Sequence, residues 1–312
     1  MRTLGIDLGG TKILAAVVED GRVIARERVA TPQTGFDDVA DAMATAARTL
    51  LSRGFAVEAV GVGSPGPLDP ARGRVRFAPN IAGMIDAPIV EALERRLDLP
   101  VTLENDANAA GYAEHLYGAA RDLESSVFVT ISTGIGGGLF LGDRVIRGAN
   151  GLAGEIGHMT LLPGGPMGGD GHGGSLEAIA AGRSIARDAS YAYGIEMDTP
   201  EVFERARSGE RKALGIVDNA AAFTGIGIAN LVKIFDPQGF VIGGGMSEVG
   251  AFYVDRILAA AGRYLVGYPD PVLRHAELGT DAGVIGAAAV AAAEGAGRAV
   301  AGRAPTEEQG RP

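Results

Sequence analysis

The chain contains no cysteine, which excludes disulfides and any metal site built on thiolates. Lysine is almost as scarce. Lys12, Lys212 and Lys233 are the only lysines in 312 residues, so arginine carries nearly all the positive charge. Cations are also outnumbered: 28 lysines and arginines face 38 carboxylates, a formal net charge of −10. An acidic surface repels a polyanionic backbone, and no basic patch interrupts it, so nucleic acid is not an expected partner. No apolar run approaches the length of a membrane span, and no membrane partner is expected. The N-terminus is patterned like a strand, without the basic-then-apolar order of a secretion signal, and the cytoplasm is the expected compartment. What is present is an ordinary globular balance, 46% hydrophobic and 21% charged, at a length suited to one large or two medium domains.

Residues 3–8, 13–18 and 22–30 read as strands. Residues 36–53 read as an amphipathic helix through Val39, Met43, Ala46, Ala47 and Leu50, stopped at Gly54. A buried strand at 59–63, a helix at 88–98, a strand at 101–104 and a helix at 106–117 follow. Strands recur at 125–133 and 136–141. Helices dominate from 175, interrupted by a strand at 239–243, and 284–295 closes the series as an alanine-rich helix. Strands then helix, twice over, predict an α/β protein of two similar lobes. The expected lobes are 1–117 with 284–302, and 118–283, with 303–312 a loose polar tail.

Two glycine loops of one design stand about 125 residues apart. Asp7-Leu8-Gly9-Gly10-Thr11-Lys12 follows the apolar run Leu4-Gly5-Ile6. Ser132-Thr133-Gly134-Ile135-Gly136-Gly137-Gly138 follows Val127-Phe128-Val129-Thr130-Ile131. Each reads as a β-hairpin. Glycine lets backbone N–H groups converge without a side chain in the way, a concavity that suits phosphate oxygens. A matched pair points to one nucleotide gripped by two related lobes, where a single loop would be an ordinary tight turn. Gly61-x-Gly63-x-x-Gly66 matches a dinucleotide fingerprint, but Pro65 and Pro67 fall where the helix should open, and no P-loop motif occurs.

Two polar clusters carry the remaining chemistry. Glu104-Asn105-Asp106-Ala107-Asn108 lies at a strand-to-helix corner. Asp106 there serves equally as an N-cap or as an acceptor for a substrate hydroxyl proton. Gly154-Glu155-Ile156-Gly157-His158 is followed by Glu177. In a turn or helix, Glu155 and His158 can face one way. Glu177 is open between a ligand and a plain helix N-terminal acid. Polar side chains set in glycine-rich, apolar stretches suit a sugar, whose hydroxyls need paired donors and acceptors.

These motifs, with Gly63-x-Pro65-Gly66-Pro67, stand in the order seen in ROK-family sugar kinases, and the resemblance runs from about residue 3 to about residue 290. Ala78-Pro79-Asn80 with Gly83-Met84 is similar to the glucokinase branch. The resemblance implies a two-lobed, actin-like ATPase (ribonuclease H-like) fold with a central cleft between the lobes. It implies ATP-dependent phosphorylation of a hexose at its 6-hydroxyl, glucose first, with Asp106 as the catalytic base. Gly66, Asn80, Asn105, Asp106, Glu155, His158 and Glu177 would contact the hexose. Asp7, Gly9, Gly10, Thr11, Lys12, Ser132, Thr133, Gly134, Ile135, Gly136 and Gly137 would hold the nucleotide, with Gly243, Gly244 and Gly245 by the adenosine. Mg²⁺ would accompany ATP, near Asp7. A homo-oligomer, dimer or tetramer, is expected.

One departure is clear. The family commonly binds structural zinc through a histidine and three cysteines. Here those cysteine positions hold Gly168, Asp170 and Ser175, although His158 remains and His172 is nearby. Glycine and serine are poor zinc ligands, so no zinc is expected. Other hexoses, N-acetylated amino sugars among them, stay open as substrates. A non-catalytic sugar-sensing relative is disfavoured by the intact Asp106, and by a first glycine loop at residue 7 where such repressors carry a helix-turn-helix. An actin-like filament or chaperone ATPase would not need Glu155, His158 and Glu177.

Overall fold

The computed structural model describes residues 1–169, 171–245 and 250–300. The expected tail at 303–312 lies outside them. In chain order the elements are β1 (Arg2–Leu8), β2 (Lys12–Glu19), β3 (Arg22–Ala30), α1 (Phe36–Leu51), β4 (Val60–Ser64), β5 (Leu68–Asp69), β6 (Arg74–Phe77), β7 (Ile85–Ala87), α2 (Ile89–Leu97), β8 (Val101–Asn105) and α3 (Asp106–Leu116). There follow β9 (Ser125–Ile131), β10 (Ile135–Leu141), β11 (Arg144–Val145), α4 (Leu176–Ala180), α5 (Gly182–Tyr193), α6 (Thr199–Arg207), α7 (Arg211–Phe235), β12 (Gly239–Gly243), α8 (Ala251–Gly262), β13 (Leu273–His275) and α9 (Ala282–Val300). By their internal contacts these fall into two units, Met1–Ala109 with the chain from Gly283, and Ala110–Ala282.

In the first unit the sheet order is β3-β2-β1-β4-β8. β1, β2 and β3 are antiparallel, while β1, β4 and β8 are parallel. β2 is buried along almost its whole length, as a strand between two neighbours should be, whereas β3 alternates between exposed and half-buried residues as an edge. α1 packs on β2 and β3 through Val39, Met43, Ala46, Ala47 and Leu50. α9 lies directly on the sheet because two strand glycines leave room. A Cβ on Gly5 would come within 1.9 Å of the Val284 carbonyl oxygen, and one on Gly61 within 1.8 Å of that of Ala287. This close approach explains the small residues of α9.

The second unit repeats the plan, with sheet order β11-β10-β9-β12-β13, antiparallel on the β10–β11 side and parallel from β9 to β13. α7 is long and apolar enough to cross a membrane, but Val217, Ala220, Ala221, Thr224, Ile228, Ala229 and Leu231 are buried within the unit and α4, α5, α6 and α8 pack on it. Residues 68–87 form a small three-stranded sheet, β5-β6-β7, which the sequence did not reveal, and neither did it reveal β11 and β13; strands of two to four residues are too short to show an alternating pattern. Pro88 stands at the N-cap of α2 rather than inside it.

Candidate active site

In the first unit, three strand ends form a row. Asp7 on β1 is paired with Gly63 on β4, and Gly63 with Glu104 on β8. Ligands in open α/β sheets bind at the carboxyl ends of parallel strands. The β1–β2 turn is closed by the Gly9 N–H donating to the Lys12 carbonyl at 3.0 Å. Thr31 Oγ1 donates to the Gly9 carbonyl at 2.7 Å and Gln33 Nε2 to that of Gly10 at 3.0 Å. Both glycine carbonyls are thereby tied back. None of Gly9, Gly10, Gly134, Gly136 and Gly137 has a left-handed φ, so what these glycines supply is space. A Cβ on Gly10 would come within 2.9 Å of the Asn80 carbonyl oxygen. The turn therefore lies against Asn80. Gly66, at φ 89°, packs in turn on the backbone of Phe77 and Ala78, and Asn80 itself is exposed.

At the β8–α3 corner the capping residue is Asn105. Its Oδ1 accepts the N–H groups of Ala107 at 2.9 Å and Asn108 at 3.1 Å. Glu104, fully inside, accepts the Asn105 N–H at 3.0 Å and an Nδ2 hydrogen of Asn108 at 2.9 Å on the same oxygen. Asn105 can thus offer a ligand only its Nδ2 donors. Asp106 begins the helix and accepts the Ala107 N–H at 2.8 Å. Burial pushes its carboxyl well above the usual carboxylate range, against the pull of that N–H. Asp7 is pushed up to about 6, first by burial, then by the negative charge of Asp106, with Lys12 opposing. Gly283, in the first turn of α9, backs the Asp7 carboxyl: a Cβ there would come within 2.9 Å of its Cγ. Thr11 and Lys12 are exposed at the mouth of the turn.

In the second unit the β9–β10 turn is closed by the Ser132 N–H donating to the Gly134 carbonyl at 2.8 Å. Three other segments converge on it. The Ile135 N–H donates to Glu177 Oε2 at 2.9 Å. Gly157, within the 3₁₀ turn Ile156–His158, packs so tightly on Ile135 that a Cβ would lie 2.0 Å from its carbonyl oxygen. Glu155 and His158 flank that contact, Glu155 half-buried and His158 exposed. Finally, Gly244, at φ 81°, leaves no room for a Cβ, which would sit 2.4 Å from the Ile131 carbonyl oxygen; Gly243 ends β12 beside Thr130, and Gly245 faces Ser132. The second turn therefore stands together with Glu155, His158, Glu177 and Gly243–Gly245.

The donor sets test the metals. Asp7 is a hard oxygen donor whose proton affinity is raised by burial and then by the charge of Asp106, a strain a divalent cation relieves. Mg²⁺ commonly takes one or two carboxylates and keeps several waters, so Asp7 fits it. Zinc does not fit. Gly168 has no donor, and Ser175 Oγ is buried and occupied as the cap of α4, accepting the Ala178 N–H at 3.2 Å. Asp170 lies outside the described residues.

Sequence reasoning missed Arg183, which pairs with Glu177, and the pinning residues Thr31 and Gln33, and it gave Glu104, though part of the corner motif, no role. An arginine six residues beyond Glu177, just after a glycine at a helix start, was the available signal.

Two units of one topology, each with a glycine turn at the head of its antiparallel hairpin, define a phosphotransferase of the actin-like ATPase fold. The chain belongs to the ROK family, whose model matches residues 3–294. Its fold is similar to that of a ROK hexokinase from Thermus thermophilus, with TM-score 0.90 and 49% identity over 95% of this chain and 100% of that one. A ROK glucokinase from Streptomyces griseus, solved with glucose and AMPPNP, gives TM-score 0.80 and 36% identity over 94% and 100%. The N-acetylmannosamine kinase of Haemophilus influenzae is 35% identical over 92% of this chain and 94% of its own length.

Proposed function

We propose that the chain transfers the γ-phosphoryl group of ATP to the 6-hydroxyl of a hexose, glucose first, giving ADP and the hexose 6-phosphate. The observation that carries this is the division of labour at the β8–α3 corner. Asn105 takes the Asn108 N–H and shares that of Ala107 with Asp106 Oδ1, so the second oxygen of the Asp106 carboxyl is left for chemistry, and its raised proton affinity brings it nearer to what a general base needs. Asp106 takes the proton as the hydroxyl oxygen attacks the γ-phosphorus in line and the bond to the β–γ bridging oxygen breaks. The backbone N–H groups of the two glycine turns and the Lys12 ammonium hold the phosphates. Asp7 would hold Mg²⁺ through its waters, where the ion neutralises phosphate charge. Most of the rate comes from positioning and charge neutralisation, because the transferring group needs little covalent help.

Gly66, Asn80, Asn105, Glu155, His158 and Glu177 are assigned to the hexose. Gly9, Gly10, Thr11, Ser132–Gly137 and Gly243–Gly245 are assigned to the nucleotide. A cytoplasmic location and a dimeric or tetrameric state belong to the same reading. Similarity to an N-acetylmannosamine kinase at nearly the same identity as to a glucokinase favours one second reading, an N-acetylated amino sugar as substrate. A coupled assay of ADP release across glucose, mannose, fructose, allose and N-acetylmannosamine tests both. Glucose turning over with the highest kcat/KM supports the first, N-acetylmannosamine the second, and no hexose-dependent ADP release would remove both.

A further inference from the structure

We propose that Arg183 is a positioning residue of the hexose site, holding the Glu177 carboxylate in a fixed plane against the second glycine turn. The proposal rests on Glu177 being a hexose ligand. Glu177 is divided between two partners. Oε2 accepts the Ile135 N–H at 2.9 Å, and Oε1 accepts from the Arg183 guanidinium. A carboxylate held at one oxygen can rotate, whereas one held at both presents its remaining lone pairs in a defined direction. Arg183 is well anchored for this. Its own N–H donates to the Thr133 carbonyl at 3.4 Å, and the Gly182 N–H to that of Ser132 at 2.8 Å. The base of the side chain is therefore tied to the same turn that Glu177 grips. Its head lies against the cysteine-free loop: a Cβ on Gly169 would come within 3.0 Å of Nη1.

The exposure of the pair decides what it is for. The side chains are 43% exposed for Arg183 and 17% for Glu177. An ion pair this open to water adds little to stability. Its effect falls on where Glu177 points, and the planar fork of arginine fixes direction as a lysine ammonium does only in part.

The test compares Arg183→Ala, Arg183→Lys and wild type by steady-state kinetics, thermal melting and amide hydrogen exchange at residues 134–137. Arg183→Ala is expected to raise the hexose KM about tenfold, leave kcat and the ATP KM within about threefold, leave the melting temperature nearly unchanged and speed exchange of the Ile135 amide. Arg183→Lys recovers part of the hexose KM. An unchanged hexose KM in Arg183→Ala overturns the proposal while leaving the kinase reading standing. If the wild-type chain phosphorylates no hexose, the kinase reading fails, and Ile135 exchange alone decides: an unchanged rate overturns the positioning role too. Should Arg183→Ala fail to fold, Arg183→Gln and Arg183→Lys carry the same comparison.

Discussion

Asn105 caps helix α3 by accepting the Asn108 N–H on its Oδ1 at 3.1 Å. The residue beside it, Asp106, accepts only the Ala107 N–H of that first turn, on Oδ1, and keeps its second oxygen. Asp106→Asn keeps the shape of the side chain and removes its capacity to take a proton. Turnover is expected to fall by about 10²–10⁴, with hexose affinity little changed. Steady-state kinetics paired with calorimetric titration of glucose checks this, and near-normal turnover would show that Asp106 is only a helix residue.

The same capping geometry separates two roles of Asn105. Asn105→Asp retains the acceptor for the Ala107 and Asn108 N–H groups but loses the Nδ2 donors. It should fold with near wild-type stability and bind hexose more weakly. Asn105→Ala loses both, and should in addition lose about 1 kcal/mol of stability, the usual cost of an absent cap. Equal melting temperatures for Asn105→Ala and wild type would argue against the capping role.

Much of this was legible in the sequence. β1 and β2 around Asp7–Lys12, and β9 and β10 around Ser132–Gly138, announce themselves by apolar runs on both sides of glycines, so the doubled topology could be inferred from pattern alone. The order of the five motifs pointed to the family. What stayed hidden was pairing between distant residues. No local pattern says that Gly10 will lie on Asn80, that Gly157 will lie on Ile135, or that Glu177 will hold the Ile135 N–H. These contacts join segments separated by 22 to 70 residues, and periodicity carries no information over such spans. The cap stayed open for a different reason: Asn105 and Asp106 are both favoured at N-caps, and only the helix start itself distinguishes them.

Asp7 makes the stability of the fold depend on pH. Burial, and then the charge of Asp106, lift its carboxyl from 3.8 to about 6. The folded chain therefore binds this proton more tightly than the unfolded chain does. The contribution to stability is fully present below about pH 4 and is lost as pH rises through about 6, a change of up to about 3 kcal/mol. Asp7→Asn should abolish that part of the pH dependence, making the variant more stable than wild type at about pH 8 in nucleotide-free, metal-free buffer. Urea unfolding of both proteins at about pH 4.5 and pH 8 measures it. Parallel pH trends in the two proteins would sink the prediction.

Relatives are expected to carry zinc in the loop of residues 163–174. Here the backbone closes it. Leu161 and Leu162 donate their N–H groups to the Gly174 carbonyl at 2.9 and 3.1 Å, Gly174 donates to Pro166 at 2.8 Å, and Gly168 donates to His172 at 2.8 Å. Isolated bridges pair Thr160 with Ser175 and Met167 with Gly173. Gly174 is the keystone. It has φ +76°, and a Cβ on it would lie 1.7 Å from the Leu162 carbonyl oxygen, so any side chain must force the two strands of the loop apart. Gly174→Ala should therefore cost more than the roughly 1–2 kcal/mol of a left-handed alanine. It should also open residues 160–175 to proteolysis and raise the hexose KM, since α4 with Glu177 begins at the end of the loop. A strong chelator, removed before assay, should leave wild-type folding intact and activity intact once Mg²⁺ is restored. In a protein whose loop is folded by zinc, the same treatment takes away metal and structure together. Stoichiometric zinc by elemental analysis, or a melting temperature that falls on chelation, would place the loop's stability in a metal after all, with His158, Asp170 and His172 the ligands to examine.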